Sequence, residues 1–351
     1  MTSANDTGIV LYHYSFSPYA RRVVWYLALR GISYAQCIQP PILPRPDLNM
    51  LGVNYRRIPV LAIGRDIYLD TRLILSKLEA HFPYPVSTIP DSQIFTPTST
   101  LTLDQRALSY LLARWTASPE VSTAAAGCIP TNLPIFEDAK FVKDREELFG
   151  RSWKKEDLEK GRAVAVSGML SAFEFVEGLF GDGRQWILGT KNVSVGDIEA
   201  IRPFHWLTNM PGALSPVLIS PTQFPETFNW ISRFDQLVKT AQNTLPPITR
   251  LNGPDASKRI LSSDYVDSKL ATGSVPGVKM GEADPSGLKP GEEVSLSPTD
   301  TGVNHKDVGK LVWLDGEEIV LEKKREEGVT IRIHAPRHGF KVVRAGASEE
   351  S

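Results

Sequence analysis

The sequence is poor in residues that form disulfides or metal sites. Its 351 residues include two cysteines, Cys37 and Cys128, which are too few for a disulfide framework or a tetrahedral cysteine metal site. The six histidines are scattered, and His334 and His338 fall in a strand and turn context rather than on one helix face. We therefore expect no metal site and two ordinary buried thiols.

The sequence also lacks an excess of either charge and a long apolar run. Lys and Arg number 39, Asp and Glu number 40, and the formal net charge is -1, which disfavours nucleic acid and anionic membranes as partners. No apolar run approaches the roughly 20 residues that a membrane-spanning helix needs. The opening MTSANDTG has neither the basic nor the apolar region of a secretory signal. The expectation is a cytoplasmic, globular protein.

Residues 8–84 contain alternating strand and helix patterns. The apolar runs GIVLYHY and ISYAQCI are typical of buried strands, and residues 18–30 between them have helical spacing that ends before Gly31. A proline-broken segment, an apolar hairpin (IPVLAI, GRD, IYL) and the amphipathic DTRLILSKLEAHF follow. This order, βαβ and then ββα, predicts an α/β domain with a thioredoxin-like sheet.

Four further segments follow this first domain. Residues 85–100 are rich in proline and hydroxylated side chains and predict a linker, whereas residues 101–250 carry long helical patterns and predict an all-helical domain. Residues 251–292 predict a short helix and a flexible linker rich in Gly, Pro and Ser. Residues 293–345 alternate apolar and polar side chains, and the Asp315-Gly316 pair predicts a hairpin, so we expect a small appended antiparallel β module.

Three short segments of the first domain fit both a structural and a ligand-binding role. Ser17 precedes Pro18 at a predicted helix start, where a cap hydroxyl also lies beside free N–H groups that attract an anion. Ile58-Pro59 stands at a strand entrance, either as an edge-strand proline or as a cis bond that leaves the preceding backbone free for a ligand. Asp70-Thr71 opens the next helix, as a cap or as a second anion-binding pocket. In a thioredoxin-like sheet all three meet at one edge.

Three segments carry a family resemblance. SPYARRVVWYLALRGISY and RRIPVLAIGRDIYLDTRLILSKLE resemble the glutathione-binding domain of the cytosolic glutathione transferase superfamily in order, spacing and content. WILGTKNVSVGDIEA, residues 186–200, resembles the buried capping motif of that family's helical domain, with Ser194 and Asp197 at capping-box spacing. The resemblance covers about residues 8–245 and implies the two-domain fold; the β module is not part of the ordinary family pattern.

The resemblance also implies roles for the three segments, with glutathione as co-substrate. Ser17 takes the position that faces the glutathione sulfur, and Ile58, before a cis Pro59, offers backbone hydrogen bonds to the cysteinyl part. Asp70 and Thr71 hold the γ-glutamyl end, where Glu-Ser is the commoner pair. Homodimers are common in the family, so a homodimer is expected.

The type of residue at position 17 bears on the chemistry. A serine cannot form a mixed disulfide, so the remaining role is to activate the thiol of bound glutathione for attack on a small electrophile or for a glutathione-dependent isomerisation. Tyr14 and Ser15 are alternative donors. A non-catalytic glutathione-binding or protein-interaction module is the competing hypothesis, because the Asp-Thr pair and the extra β module depart from the family pattern.

A second-substrate pocket is expected between the site and the first helices of the helical domain. Its candidate residues combine aromatic side chains with one arginine: Tyr14, Phe16, Tyr110, Arg114 and Trp115. The spacing of the last three is equally that of ordinary core or interface residues, so both interpretations stay open.

Overall fold

The computed structural model describes residues 7–83, 95–267, 284–325 and 328–346, and its first domain has the predicted thioredoxin-like order. The elements are β1 (Ile9–His13), α1 (Pro18–Leu29), β2 (Ala35–Ile38), α2 (Pro46–Met50), β3 (Val60–Ile63), β4 (Asp66–Leu69) and α3 (Thr71–His81). Strand β1 pairs in parallel with β2 and antiparallel with β3, which pairs antiparallel with β4. Alternate side chains of β1 enter two different cores, which explains its unbroken apolar sequence.

The middle of the chain is helical, as predicted. Its helices are α4 (Leu103–Ala117), α5 (Pro119–Gly127), α6 (Ala139–Phe149), α7 (Lys155–Leu179), α8 (Val195–Thr208) and α9 (Pro225–Thr244). Two short strands that the sequence did not predict, β5 (Phe95–Thr96) and β6 (Val193–Ser194), pair in parallel at the start of the helical domain and before α8. Residues 85–94 of the predicted linker, together with residue 84 of the predicted first domain, lie outside the described residues.

The capping motif before α8 is formed as predicted. The Asp197 carboxylate is fully buried and accepts hydrogen bonds from the backbone N and the Oγ of Ser194, at 2.9 and 2.8 Å. Its other oxygen accepts from Ile187 N at 2.8 Å and from Trp230 Nε1 at 3.0 Å. Burial raises the pKa of Asp197 overall, although these hydrogen bonds lower it. The motif therefore joins α8, α9 and the preceding loop, which is a folding role.

Helix α7 corrects one expectation from the sequence. Together with its terminal turn to Asp182 it is long and apolar enough to cross a membrane, by length and composition only. The run was missed because Ser167, Gly168 and two glutamates interrupt it. A core helix meets the same criterion, and one face of α7 is buried with Met169 and Phe173 in the core. The length and composition of α7 are therefore weak evidence for a membrane span.

The remaining elements return to the first domain. They are β7 (Thr249–Arg250), α10 (Gly253–Leu261), β8 (Glu293–Pro298), β9 (Asp307–Leu314), β10 (Glu318–Lys324), β11 (Thr330–Pro336) and β12 (Phe340–Arg344). The predicted hairpin at Asp315-Gly316 joins β9 to β10, and Asp315 Oδ1 accepts from the backbone N of Glu317 and Glu318. Residues 268–283, most of the predicted flexible linker, lie outside the described residues.

Strand β11 joins the C-terminal module to the first domain. It pairs in parallel with β4, with Ile333 opposite Ile67 and His334 opposite Tyr68. The result is a ten-stranded sheet in the order β12-β8-β9-β10-β11-β4-β3-β1-β2-β7. The module, predicted as an appended unit, thus continues the sheet of the first domain and covers the edge of β4, which would otherwise expose unpaired backbone groups.

A buried cluster of charges lies at this junction. His334 contacts Asp66 through Nε2 at 2.9 Å and Glu318 through Nδ1 at 2.7 Å. Lys77 Nζ donates to Glu318 at 2.7 Å and also to Asp267. Burial lowers the pKa of His334, but hydrogen bonds and charges of Asp66 and Glu318 raise it overall. Asp267, Glu318 and His334 are close enough to hold a metal ion. Because the Lys77 ammonium already bridges the two carboxylates, we assign the cluster a structural role.

Replacement of Lys77 by methionine is expected to destabilise the fold by about 3 kcal/mol, because it leaves two buried carboxylates without their cation. The measurement is the free energy of unfolding in denaturant. Lys160→Met is the matched control, since that side chain is 79% exposed, and it should change the value by less than about 0.5 kcal/mol. Equal effects of the two substitutions would contradict the structural role of the cluster.

Candidate functional site

The strand registers bring the three candidate segments to one edge of the sheet. Tyr12 near the end of β1 lies opposite Val60 at the start of β3, and Val60 lies opposite Leu69 at the end of β4. The segment after β1, the segment before β3 and the segment after β4 therefore meet. We call this the site edge: residues 14–18, 57–59 and 70–72.

Ser17 caps α1, as the sequence predicts. Its Oγ accepts a hydrogen bond from Ala20 N at 3.2 Å, and Pro18 occupies the first helical position. The residue is 2% exposed. Because the Oγ acts as acceptor toward Ala20, its own proton remains to be donated. A hydroxyl donor next to the N-terminus of a helix, shielded from water, is well suited to stabilise an anion.

Ile58 lies directly before β3, and its bond to Pro59 is cis. Ile58 is buried, and among the described residues its backbone N–H and carbonyl make no hydrogen bond. Buried backbone groups are rarely left unpaired, so these two groups are suited to bind the backbone of a ligand.

Asp70 caps α3 in an unusual backbone conformation. It is the single described residue other than glycine with a positive φ, 66°, and such strain is concentrated at functional sites. Its Oδ1 accepts from Arg72 N at 3.1 Å and Arg72 Nε at 3.0 Å. Burial alone would raise the pKa of Asp70, but the charge and hydrogen bonds of Arg72, with the charge of Arg57, lower it to about 2. Asp70 is therefore ionised at any physiological pH.

Thr71 connects the site edge to the helical domain. Its Oγ1 accepts from Arg22 Nη1 at 2.7 Å, and Arg22 forms a buried ion pair with Glu199 of α8. Burial and the charge of Arg202 lower the pKa of Arg22 to about 9, although the charge of Asp70 raises it. An arginine only donates, so Thr71 Oγ1 accepts here and keeps its proton for another acceptor. Sequence reasoning missed Arg22 and Glu199, because no local pattern separates them from other charged helix residues.

Of the second-substrate candidates, two aromatic residues lie on the loop before Ser17. Tyr14 and Phe16 have ring centroids 4.7 Å apart, and Phe16 is 54% exposed. A half-buried ring and an exposed ring beside a buried hydroxyl form a suitable wall for an apolar substrate.

The other three candidates lie on α4 and divide between two surroundings. Tyr110 is 58% exposed, and the Arg114 guanidinium stacks on its ring at 4.1 Å. Trp115 instead is half-buried: its ring lies 4.7 Å from that of the exposed Phe175 and packs against the edge of the helical core. The structure thus groups Tyr110 with Arg114 and places Trp115 at the edge of the helical core.

The C-terminal module also reaches the site edge, which the sequence did not predict. Arg57 Nη1 donates to Asp300 at 2.8 Å, and its guanidinium lies 5.4 Å from the ring centre of Phe340 in β12. A Cβ added at Gly339, in the β11–β12 turn, would lie 3.4 Å from Arg72 Nη2. The β8–β9 loop, the β11–β12 turn and the start of β12 therefore lie against two arginines of the site edge.

A cavity of about 360 Å³ opens between the first domain and the module. Its lining is mostly basic and amide side chains, with Leu43, Pro44, Arg45, Asn49, Asn54, Asn304, His305 and Lys306. Arg45 is fixed through its Nε, which donates to the Pro40 carbonyl at 3.0 Å. Donors of this kind are suited to a carboxylate.

Comparison with known families and structures now identifies the fold. Residues 11–86 match the family described as glutathione S-transferase, N-terminal domain. A GST-like protein from Pseudomonas syringae has a TM-score of 0.63 at 20% identity, with 96% of this chain and 99% of that chain covered. The first domain therefore matches the glutathione S-transferase N-terminal domain family. Coverage of this extent includes strands of the C-terminal module, so the chain shares its extended fold with the P. syringae protein.

The helical domain matches a family without an assigned function. Residues 124–243 match a family described as a domain of unknown function (DUF7962). A glutathione S-transferase from Sinorhizobium meliloti 1021 has a TM-score of 0.48 at 17% identity, covering 69% of this chain and 95% of that one. The beta-etherase LigF from Sphingobium sp. strain SYK-6 has a TM-score of 0.48 at 13% identity, with coverages of 67% and 99%. No curated protein sequence matches the chain.

Replacement of Thr71 by valine is expected to cost about 1 to 3 kcal/mol of stability, because the buried Arg22 guanidinium loses its acceptor while the shape is kept. Thr71→Ser retains the oxygen and is the matched control, with an expected loss below about 1 kcal/mol. Denaturant unfolding of both variants measures the difference. If valine and serine behave alike, the hydrogen bond from Arg22 does not hold this end of the site.

Proposed function

We propose that the protein is a glutathione-dependent transferase or isomerase that activates the glutathione thiol for attack on a small electrophile. The observation that carries the proposal is the convergence of Ser17, Ile58 and the Asp70-Thr71 pair at one sheet edge, in a domain that matches the glutathione S-transferase N-terminal family. The protein acts in the cytoplasm, as a homodimer, with no metal ion.

Each part of the tripeptide has a matching group at the site edge. The backbone of the cysteinyl residue pairs with the free N–H and carbonyl of Ile58. The α-carboxylate of the γ-glutamyl end accepts a hydrogen bond from the Thr71 hydroxyl. Its ammonium group forms an ion pair with the ionised Asp70. The glycyl carboxylate is assigned to the neighbouring cavity, because Arg45 in its lining donates to the carbonyl of Arg56, directly before the site edge.

Ser17 supplies the activation. A free thiol with a pKa of about 8.5 is only roughly 3% ionised at pH 7. A hydrogen bond from a hydroxyl to a charged sulfur contributes about 1.5 to 3 kcal/mol, which lowers the thiol pKa by roughly one to two units. This is enough to make the thiolate a major species, and the N-terminus of α1 adds to the effect.

The thiolate then acts as the nucleophile. Its electron pair forms a carbon–sulfur bond, and either a leaving group departs with its own electron pair or a conjugated double bond accepts the electrons and a proton from water. The second course is reversible and allows rotation about the former double bond, which gives isomerisation. Phe16, Tyr14 and Tyr110 provide the apolar wall for the electrophile.

A second candidate function is a non-catalytic glutathione-binding or protein-interaction module. It is favoured by one observation, the approach of the C-terminal module to the site edge. Asp300 already pairs with Arg57, Gly339 lies against Arg72, and Asp70 and Thr71 already have arginine partners. Calorimetric titration of the protein with glutathione, followed by a turnover assay with generic electrophiles, separates the two functions, because binding without turnover supports the second.

Substitution of Ser17 by alanine is expected to lower the conjugation rate by about 10- to 100-fold, since the thiol pKa would rise by roughly one to two units. The ultraviolet absorbance of the bound thiolate, followed against pH, should show that rise directly. Glutathione affinity should change much less than the rate.

Ser15→Ala is the control for this substitution, because Ser15 is an exposed neighbour on the same loop. Circular dichroism must show that Ser17→Ala folds, since loss of the cap itself costs about 1 kcal/mol. An unchanged thiol pKa in folded Ser17→Ala, or a larger effect of Ser15→Ala, would assign the donor role to another residue.

A further inference from the structure

The cavity beside the site edge is larger than a glycyl carboxylate requires. Its volume of about 360 Å³ falls within the roughly 300 to 1,000 Å³ of complete small-molecule sites. The glycyl end of glutathione carries only a methylene and a carboxylate. A thiol peptide that ends in glycine therefore leaves much of this cavity unfilled.

The cavity lies next to the backbone that is suited to bind the cysteinyl residue. Arg45 in the lining donates through Nη1 to the carbonyl of Arg56, two residues before Ile58. Two residues of chain span at most about 7 Å. Asn54, also in the lining, precedes Ile58 by four residues, so one short stretch of backbone leads from the cavity to the site edge. A peptide held at Ile58 through its cysteinyl backbone thus extends its next residue toward the cavity.

The first-domain wall of the cavity has an excess of buried positive charge. Arg45 is buried, and among the described residues its guanidinium bonds to carbonyl oxygens, that of Pro41 at 3.2 Å included, with no ion pair. Arg145 donates to the same Pro41 carbonyl at 2.9 Å, so two guanidiniums share one acceptor. The nearby carboxylate of Asp144 is already paired with Arg145 and with Arg56. A buried cation without an anion is costly, so an anion in the cavity would stabilise Arg45.

The C-terminal module forms a second wall of the cavity, which is fixed from both sides. Asn54 Nδ2 donates to the Lys306 carbonyl at 3.1 Å, and Gly302 N donates to the Leu148 carbonyl of α6 at 3.1 Å. The β8–β9 loop is therefore held between the first domain and the helical domain. Three of its residues line the cavity: Asn304, His305 and Lys306.

We propose that the thiol substrate of this protein is a γ-glutamylcysteinyl peptide with an acidic C-terminal residue in place of glycine, and that the C-terminal module selects it through Lys306. The proposal rests on the proposed function, because it concerns the thiol bound at that same site. Two cations of the lining match the two carboxylates of such a residue. The α-carboxylate pairs with Arg45 of the first domain, and the side-chain carboxylate pairs with Lys306 of the module. The exposed amides of Asn49 and Asn54 provide a polar rim around both.

Three peptides that differ in the last residue test this proposal without turnover. Glutathione, γ-Glu-Cys-Glu and γ-Glu-Cys-Leu are titrated into the full-length protein by calorimetry under reducing conditions. We expect γ-Glu-Cys-Glu to bind about fivefold more tightly than glutathione, a ratio in the range of a partly exposed ion pair with charged hydrogen bonds. γ-Glu-Cys-Leu fills similar space without the charge and should bind no more tightly than glutathione.

Matched variants assign the charge to the module. Lys306→Gln should reduce the fivefold ratio to about one and leave the affinity for glutathione within twofold, because Arg45 is kept. Lys310→Gln is the control and should keep the ratio, since this lysine is exposed on β9 of the same module and outside the cavity lining. With the wild-type protein, the α-carboxamide of γ-Glu-Cys-Glu should bind about fivefold more weakly than the acid, because Arg45 loses its anion.

Four results would overturn the proposal. They are equal affinities of the wild-type protein for glutathione and γ-Glu-Cys-Glu, an equal gain from the leucine peptide, an unchanged ratio in Lys306→Gln, and an α-carboxamide that binds as tightly as the acid. If glutathione binds and the acidic residue adds nothing, only this proposal is wrong. If none of the peptides binds, the proposed function fails, and the choice of thiol, which depends on it, fails as well.

Discussion

The pairing of β11 with β4 is the constraint on which the C-terminal half of the structure depends. It brings Asp66 and Tyr68 of the first domain beside Arg332 and His334 of the module. The charge cluster makes this register specific, because His334 finds carboxylates on both ring nitrogens only in this alignment. A shift by one residue would turn His334 to the other face and leave Asp66 and Glu318 buried without their shared partner.

The same pairing explains the composition of the site edge. Parallel strands end at the same side of a sheet, so the turn after β11 must lie beside the residues after β4. The edge that carries Asp70 and Arg72 is therefore completed by Gly339 and by residues on either side of it. Arginines and carboxylates alternate there, with Arg57 and Arg72 each neutralised by an aspartate. Arg22 adds a connection to the helical domain through Thr71 and Glu199. The candidate site is thus assembled from all three parts of the chain.

What the sequence could predict is what short-range chemistry determines. The cap at Ser17, the capping box at Ser194 and the hairpin at Asp315-Gly316 each follow from residues a few positions apart, and all three are formed. The order of strands and helices in the first domain follows from the period of the apolar residues.

The contacts that the sequence could not predict are those between distant segments. Asp66 and His334 are 268 positions apart, and both belong to apolar strands whose patterns fit many partners. Arg22 is one of two adjacent arginines, and only the packing of α1 on α8 selects it for Thr71 and Glu199. The local sequence does not predict long-range pairing of this kind. The apolar pattern of a strand indicates that the strand is buried, but not which strand lies next to it.

The covered edge of β4 has a consequence for synthesis on the ribosome. All of the first domain and the helical domain leave the exit tunnel before β11 is translated, so β4 remains an open edge strand during that interval. An apolar, unpaired edge is a template for strands of other chains. A nascent chain of this protein thus needs protection, from a chaperone or from the helical domain folding ahead, until its last strands arrive.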